Sequence, residues 1–261
     1  MDNFSKQHQK SRLQFNRQAH FYADSAHFSK GKTLGIMDGY IREVQPQTVL
    51  DVATGAGFMA LAAAQVARTV IGTDIAEELL ALAVKAASTA ALTNVHFMVG
   101  SAEMMPIQNH QMDLVTCRIA AHHFANIELF LAECHRVTRP GGALAFTDTI
   151  SDEDPIAAHF LNAAEMLRDP SHVKCQSPTW WQQAIESAGF RIRQQTVSSN
   201  AEMSLTGWAE RGGVTTDTHH ALVKMFHAAP DSALRQYKIR KEGNDYFFHW
   251  PTFSCLAVKS K

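Results

Sequence analysis

The sequence carries no surplus of charge of either sign. Lys and Arg number 24 against 25 Asp and Glu, for a formal charge of -1 over 261 residues. That balance offers no basic surface for a phosphate backbone, so nucleic acid is not expected as a partner. Cysteine is scarce. Cys117, Cys134, Cys175 and Cys255 lie far apart and form no CxxC pair, which excludes the common zinc and redox signatures. Long apolar runs are missing too. The most apolar stretch, residues 60–67, is too short for a bilayer. Residues 1–17 are polar and mixed in charge, unlike a secretory leader. These absences point to a reduced, cytoplasmic protein with no membrane partner. Histidine, by contrast, is abundant. Yet His122-His123 and His219-His220 are adjacent pairs, and two ligands on one helix face need i, i+4 spacing. No metal site is expected. Nothing in the sequence specifies an oligomeric state.

What is present is an alternation of strand and helix signals between Thr48 and Thr149. Strands are expected at residues 48–52, 69–74, 95–99, 112–117 and 143–149. Helices are expected at 58–67, 76–87 and 127–137, the last ended by Pro140-Gly141-Gly142. Such alternation makes right-handed βαβ units and a parallel sheet. Residues 1–44 read as helical, with a break near 24–31. Two helices follow Pro155 and Ser177-Pro178, then a strand at 190–197. Residues 204–229 are helical around a Gly212-Gly213 break. An aromatic strand at 245–258 closes the chain, with regular pairing expected only after Pro251, which lacks an N–H donor. The expected organisation is a helical segment over 1–44, an α/β core over 45–150, and a half over 151–261 that completes the sheet and carries helical inserts.

The chemistry-bearing motif is Leu50-Asp51-Val52-Ala53-Thr54-Gly55-Ala56-Gly57, a strand running through a glycine turn into a helix. Glycine tolerates positive φ and lets a ligand approach the backbone, and the helix start offers free N–H groups. Alone this is a weak signal. Gly55, Gly57 and Ala60 also match the dinucleotide GxGxxG/A pattern, and Asp74 at the end of the second strand suits the ribose hydroxyls of a nucleoside cofactor. Asp74 also suits an N-cap. Asp51 favours one side. A buried carboxylate beside the loop repels a pyrophosphate but suits a sulfonium and an ammonium, directly or through water. It equally suits a tie on the loop backbone.

Four more motifs follow in order. They are Gly72-Thr73-Asp74-Ile75, Gly100-Ser101-Ala102-Glu103-Met104-Met105-Pro106, Asp113-Leu114-Val115-Thr116-Cys117-Arg118, and Arg139-Pro140-Gly141-Gly142. With the glycine loop, they resemble the class I S-adenosylmethionine (SAM) dependent methyltransferases. The likeness is to the type 11 group, which includes ubiquinone and menaquinone C-methyltransferases. It covers residues 14–149 well and the rest in outline. It implies a Rossmann-like α/β fold: seven strands, mostly parallel with an antiparallel last strand, helices on both faces, and helical lid inserts. It implies SAM as cofactor and S-adenosylhomocysteine (SAH) as product. Gly55 and Gly57 would pass under the methionine part, Asp74 would hold the ribose, and Ile75 would pack on the adenine. Ser101 and Ala102 would face the adenine edge, with Glu103 in the same motif. The backbone of Cys117 and Arg118 would approach the amino-acid end. Two positions depart from the family pattern. Ala53 stands where glycine is usual, and Ser101 where Asp is usual.

Methyl transfer needs alignment more than a catalytic signature. His122 and His123 follow the fourth strand, where a base or substrate-orienting group belongs, or where a histidine packs the next helix. In the N-terminal helix, Phe15, Gln18, Ala19, Phe21, Tyr22 and Ser25 resemble the family's lid, with Tyr22 closing over the cofactor. His20 and His27 are weaker candidates there. Trp180 and Trp181 read as core. Trp208, with Met203 and Leu205, either walls an apolar substrate pocket or covers the sheet. The expected activity is methylation of a small molecule, with C- or O-methylation of an aromatic or polyketide-like metabolite favoured. The alternatives are a SAM-binding protein without methyl transfer, a protein-directed enzyme, and an NAD-dependent oxidoreductase.

Overall fold

Strands buried along nearly their whole length belong in the middle of a sheet, covered on both faces. β1 (Thr48–Val52) and β4 (Met112–Arg118) are such strands, and they pair in parallel at the centre. In the computed structural model, which describes the backbone at 3–23 and 31–260 and side chains at 4–19 and 31–260, they anchor a sheet of seven strands. The others are β2 (Thr69–Asp74), β3 (Val95–Val99), β5 (Thr138–Thr149), β6 (Phe190–Ser199) and, after β7 to β9 described below, β10 (Pro251–Lys259). The order is β3-β2-β1-β4-β5-β10-β6. β10 is antiparallel to both of its neighbours, and the remaining pairs are parallel.

Side-chain alternation sorts the core onto two faces. Leu50, Val52, Val115 and Phe146 point to one face, where α5 (Ile127–Val137) and α7 (Pro178–Ser187) cover them through Phe130, Leu131, Trp181 and Ile185. Val49, Leu114 and Ala145 point to the other, covered by Met37 and Ile41 of α2 (Lys32–Val44) and Met59 and Ala63 of α3 (Phe58–Ala64). Helix starts follow their caps. Asn126 accepts from Leu129 N, and Asp154 and Ser177 cap α6 (Pro155–Arg168) and α7, each with proline in the first turn. α4 (Glu77–Thr89) follows β2. Ahead of the sheet, α1 (Asn3–Ala23) lies along α4, with Asn16 Oδ1 accepting from Glu78 N. No described helix is long and apolar enough to cross a membrane.

Several expectations are corrected. α3 stops at Ala64, because 65–67 turn back with short-range bonds to Ala62 and Ala63. β5 begins at Thr138, and Pro140-Gly141-Gly142 is carried within it as an irregularity, with Gly141 at φ 76°. The aromatic run at the end is two strands. β9 (Asp245–Phe248) joins a separate three-stranded sheet, order β7-β9-β8, with β7 (Met203–Ser204) and β8 (Arg240–Glu242). β10 starts at Pro251 itself, paired with Ser199. A first residue can spare its N–H, and its carbonyl accepts from Ile150 N. α8 (Leu205–Gly212) and α9 (Thr216–His227) fall where the glycine break put them, and α10 (Asp231–Gln236) follows. Trp208, Met203 and Leu205 pack with Phe226, Phe248 and Trp250 as the core of this C-terminal insert. They do not wall the central cleft.

Candidate functional site

Where a sheet's strand order reverses, loops leave in opposite directions and a crevice opens at the carboxyl ends. Here that point lies between β1 and β4. The loop after β1 takes left-handed φ at Ala53 (51°), Gly55 (55°) and Gly57 (86°). Two carboxylates hold its shape. Asp51, 1% exposed, accepts from Thr54 Oγ1 (2.6 Å) and Thr116 Oγ1 (2.7 Å). Burial pushes its pKa up to about 6, against those two hydrogen bonds and the Arg118 charge. Asp74 accepts from Gly55 N and Ala76 N, both at 2.8 Å. Burial raises its pKa as well.

The cleft is an open pocket whose empty space, about 810 Å³, is partly continuous with solvent. Its floor is the loop from Ala53 to Ala56, and Asp74, Ile75 and Leu79 form one wall. Gly100, Ala102 and Glu103 come from the segment after β3, and Arg118, Ile119 and Ala120 from the end of β4. Ile119 sits at φ 53°, an outlier for a β-branched residue. The roof is α1, through His8, Ser11 and Phe15. These stand at i, i+3 and i+7 on one helical face. Polar contacts fasten the roof: His8 Nε2 lies 3.0 Å from Glu103 Oε2, and Gln18 donates to Gly212 O (2.7 Å). Glu103 also accepts from Ser101 Oγ and Ala125 N, so it joins α1 to the loop before α5.

The two histidines diverge. They sit on one 3-10 turn, Ala121–His123. His122 is buried, with Nδ1 2.6 Å from Asp148 Oδ1 and its own N–H donating to Asp148 Oδ2. Burial works against its charge, but the Asp148 carboxylate outweighs this and the pKa is raised. His123 lines the cleft and meets Phe15 edge-on at 4.8 Å.

A model of the family described as "Methyltransferase domain" matches residues 50–146. The chain is 33% identical over 244 residues to the protein named uncharacterized methyltransferase YcgJ of Bacillus subtilis, covering 94% of each. The chain belongs to the class I SAM-dependent methyltransferases of the type 11 group. The crystal structure of YcgJ overlays with a TM-score of 0.80, covering 88% of this chain and 98% of that one. A putative methyltransferase from Bacillus halodurans overlays at 0.82 with 29% identity, covering 87% and 100%.

In this methyltransferase the cleft gathers Ala53, Gly55, Asp74, Ile75, Ala102, Glu103, Arg118 and His123 from the residues singled out in the sequence. Five others lie behind its surface. Asp51 ties Thr54 to Thr116 rather than facing the cleft. Gly57 is a packing glycine: a Cβ there would stand 2.9 Å from Ala83 Cβ. The Ser101 hydroxyl donates to Glu103 (2.7 Å). Cys117 is fully buried in the sheet, and His122 is held by Asp148. The side chains of His20, Phe21, Tyr22, Ser25 and His27 lie outside the described residues. Sequence reasoning missed His8 and Ser11, although continuing the Phe15–Tyr22 stripe seven residues back reaches His8. Among the described residues, no group of three or more His, Cys, Asp or Glu is arranged for a metal.

Proposed function

We propose that this methyltransferase binds S-adenosylmethionine over the β1 loop and methylates a small-molecule acceptor. C- or O-methylation of an aromatic or polyketide-like metabolite is the favoured chemistry. Asp74 carries the reading. It is a buried carboxylate on the cleft wall with two backbone donors, and a carboxylate has about four acceptor positions. The remaining positions suit two ribose hydroxyls. Ile75, Leu79 and Ala102 supply an apolar slot for the adenine. Gly55 leaves open space above the loop, since a Cβ there would meet only Leu79 Cδ1 at 3.9 Å.

When bound, SAM supplies an activated sulfonium methyl group. The chain's own residues then need to orient an acceptor and exclude water, and alignment alone is worth roughly 7–11 kcal/mol. The α1 roof does both. Its Phe15, with Phe124 and Ile119, makes the acceptor side apolar, as small-molecule sites usually are. A cleft covered by α1 favours a small acceptor over a protein. The four buried free cysteines suit a cytoplasmic, reducing compartment.

Calorimetric titration of SAM, SAH and NAD into the wild type and Asp74→Ala tests the reading. Charge-assisted hydrogen bonds to the ribose are worth about 1.5–3 kcal/mol, so the variant is expected to lose at least tenfold in SAM and SAH affinity. NAD binding, or SAM and SAH binding that Asp74→Ala leaves intact, would overturn it.

A further inference from the structure

His123 does not stand alone. Behind it, 48 residues along the chain, Ser171 Oγ lies 3.1 Å from His123 Nδ1. Ser171 Oγ is in turn 2.6 Å from Asp169 Oδ1, which also accepts from Ser171 N at 2.8 Å. Ser171 and Asp169 are both buried. Burial opposes the Asp169 charge, but at the acid pH where this carboxyl titrates a charged His123 and the Ser171 bonds outweigh it, so it stays ionised below its ordinary range. An ionised carboxylate only accepts, so the single hydroxyl proton of Ser171 goes to Asp169. Ser171 Oγ then has only lone pairs left to offer His123, and Nδ1 must carry the ring proton. Nε2 is left with its lone pair. Among the described residues nothing donates to it, and His123 is the histidine of this cluster that lines the cleft.

The neighbouring rings are committed elsewhere. His122 is held by Asp148. His172 Nε2 bonds Asn162 Oδ1 (2.9 Å), and that amide's nitrogen is already spent on Ala158 O and Cys175 O. Burial and the adjacent His122 keep His123 below the usual imidazole range, so its ring is neutral at neutral pH.

We propose that Asp169 and Ser171 are positioning residues that lock His123 in the Nδ1–H tautomer, so that Nε2 accepts the proton of a proton-bearing acceptor such as a hydroxyl or enol. This rests on the methyltransferase reading of the cleft. The balance is complete. The acceptor's X–H electron pair becomes the X–CH3 bond, the S–CH3 pair returns to sulfur, and the proton passes to Nε2 and later to water. The imidazolium formed is stabilised through Ser171 by Asp169. An acceptor without a proton on the attacking atom has no use for this arrangement.

The tautomer can be read by NMR on protein labelled with 15N-histidine, with His123 assigned by the signals missing in His123→Gln. The expected wild-type pattern is a protonated Nδ1 and an unprotonated Nε2. Ser171→Ala should release the ring to the Nε2–H form, and Ser171→Thr, which keeps a hydroxyl, should restore the wild-type pattern. An Nε2–H ring in the wild type, or a Ser171→Ala protein with the wild-type pattern, would overturn the proposal. If Ser171→Ala fails to fold, the wild type and Ser171→Thr still decide. SAH titrated into the same samples reports on the cofactor separately, so failure of the relay and failure of the cofactor reading are distinguishable.

Discussion

Replacing Asp51 by Asn removes a buried charge while keeping the shape of the β1 loop. The side chain is 1% exposed, and Thr54 and Thr116 donate to its two oxygens. Both donors are hydroxyls and can reverse. Thr116 Oγ1 already lies 3.5 Å from Leu50 O, so it can donate there and accept from an amide. The wild-type carboxyl is held at about 6, above the ordinary carboxylate value of 3.8, chiefly by burial. A raised carboxylate pKa means that the folded state binds the proton more tightly. Stability is therefore lost as pH rises from about 4 to 6. Each tenfold in proton affinity is about 1.4 kcal/mol, so the charged form costs at most about 3 kcal/mol at neutral pH. Asp51→Asn should match the wild type near pH 4 and exceed it by about 1–3 kcal/mol at pH 8. Urea unfolding across that range checks this. A variant less stable at pH 8, by the same margin as at pH 4, would refute the argument from burial. The same protein decides whether Asp51 speaks to the cofactor. SAM carries a sulfonium charge that SAH lacks. A loop tie predicts parallel changes in SAM and SAH affinity, and a selective loss of SAM would give Asp51 the direct role.

The remaining predictions follow from local geometry. Gly57→Ala places a methyl 2.9 Å from Ala83 Cβ at φ 86° and should cost about 2–4 kcal/mol in chemical denaturation; an unchanged midpoint would remove its packing role. Ile119→Gly should leave stability within about 1 kcal/mol, because relief of left-handed strain offsets the lost side chain and the looser unfolded chain; a loss of 2 kcal/mol or more, on the scale of an ordinary core truncation, would argue against strain. Asp148→Asn, read by thermal and urea unfolding, should destabilise by about 3 kcal/mol or more near pH 6, where a charged His122 loses its buried partner. His122 has a raised folded pKa. Its contribution is full below the unfolded value near 6.5 and is lost as pH rises through the folded one, so the deficit should shrink at higher pH.

The central sheet was legible because burial writes itself into sequence. Thr48–Val52, Thr69–Asp74 and the helix Ile127–Val137 keep the boundaries expected of them, since each is a mostly buried run or an apolar stripe bounded by turn residues. The C-terminal insert was not legible in the same way. β7, β8 and β9 are short and pair with partners far along the chain, so the aromatic residues around Trp250 read as one strand. The site divides likewise. The place of Asp74 on the cleft wall follows from strand, turn and motif order. Asp169 and Ser171 carry no such mark. They sit in a loop after α6, and only folding brings them to His123.

That convergence links the roof to the acceptor side. Gln7 of α1 donates from one amide nitrogen to His123 O (3.1 Å) and to Ser171 O (2.6 Å). The loop behind them is clamped too, since Val173 N and Lys174 N both donate to His122 O. One side chain of the roof therefore holds the histidine turn and the 169–174 loop in register. In the proposed methyl transfer, the helix that covers the cleft thus also braces the turn that carries His123 and the loop that carries Ser171.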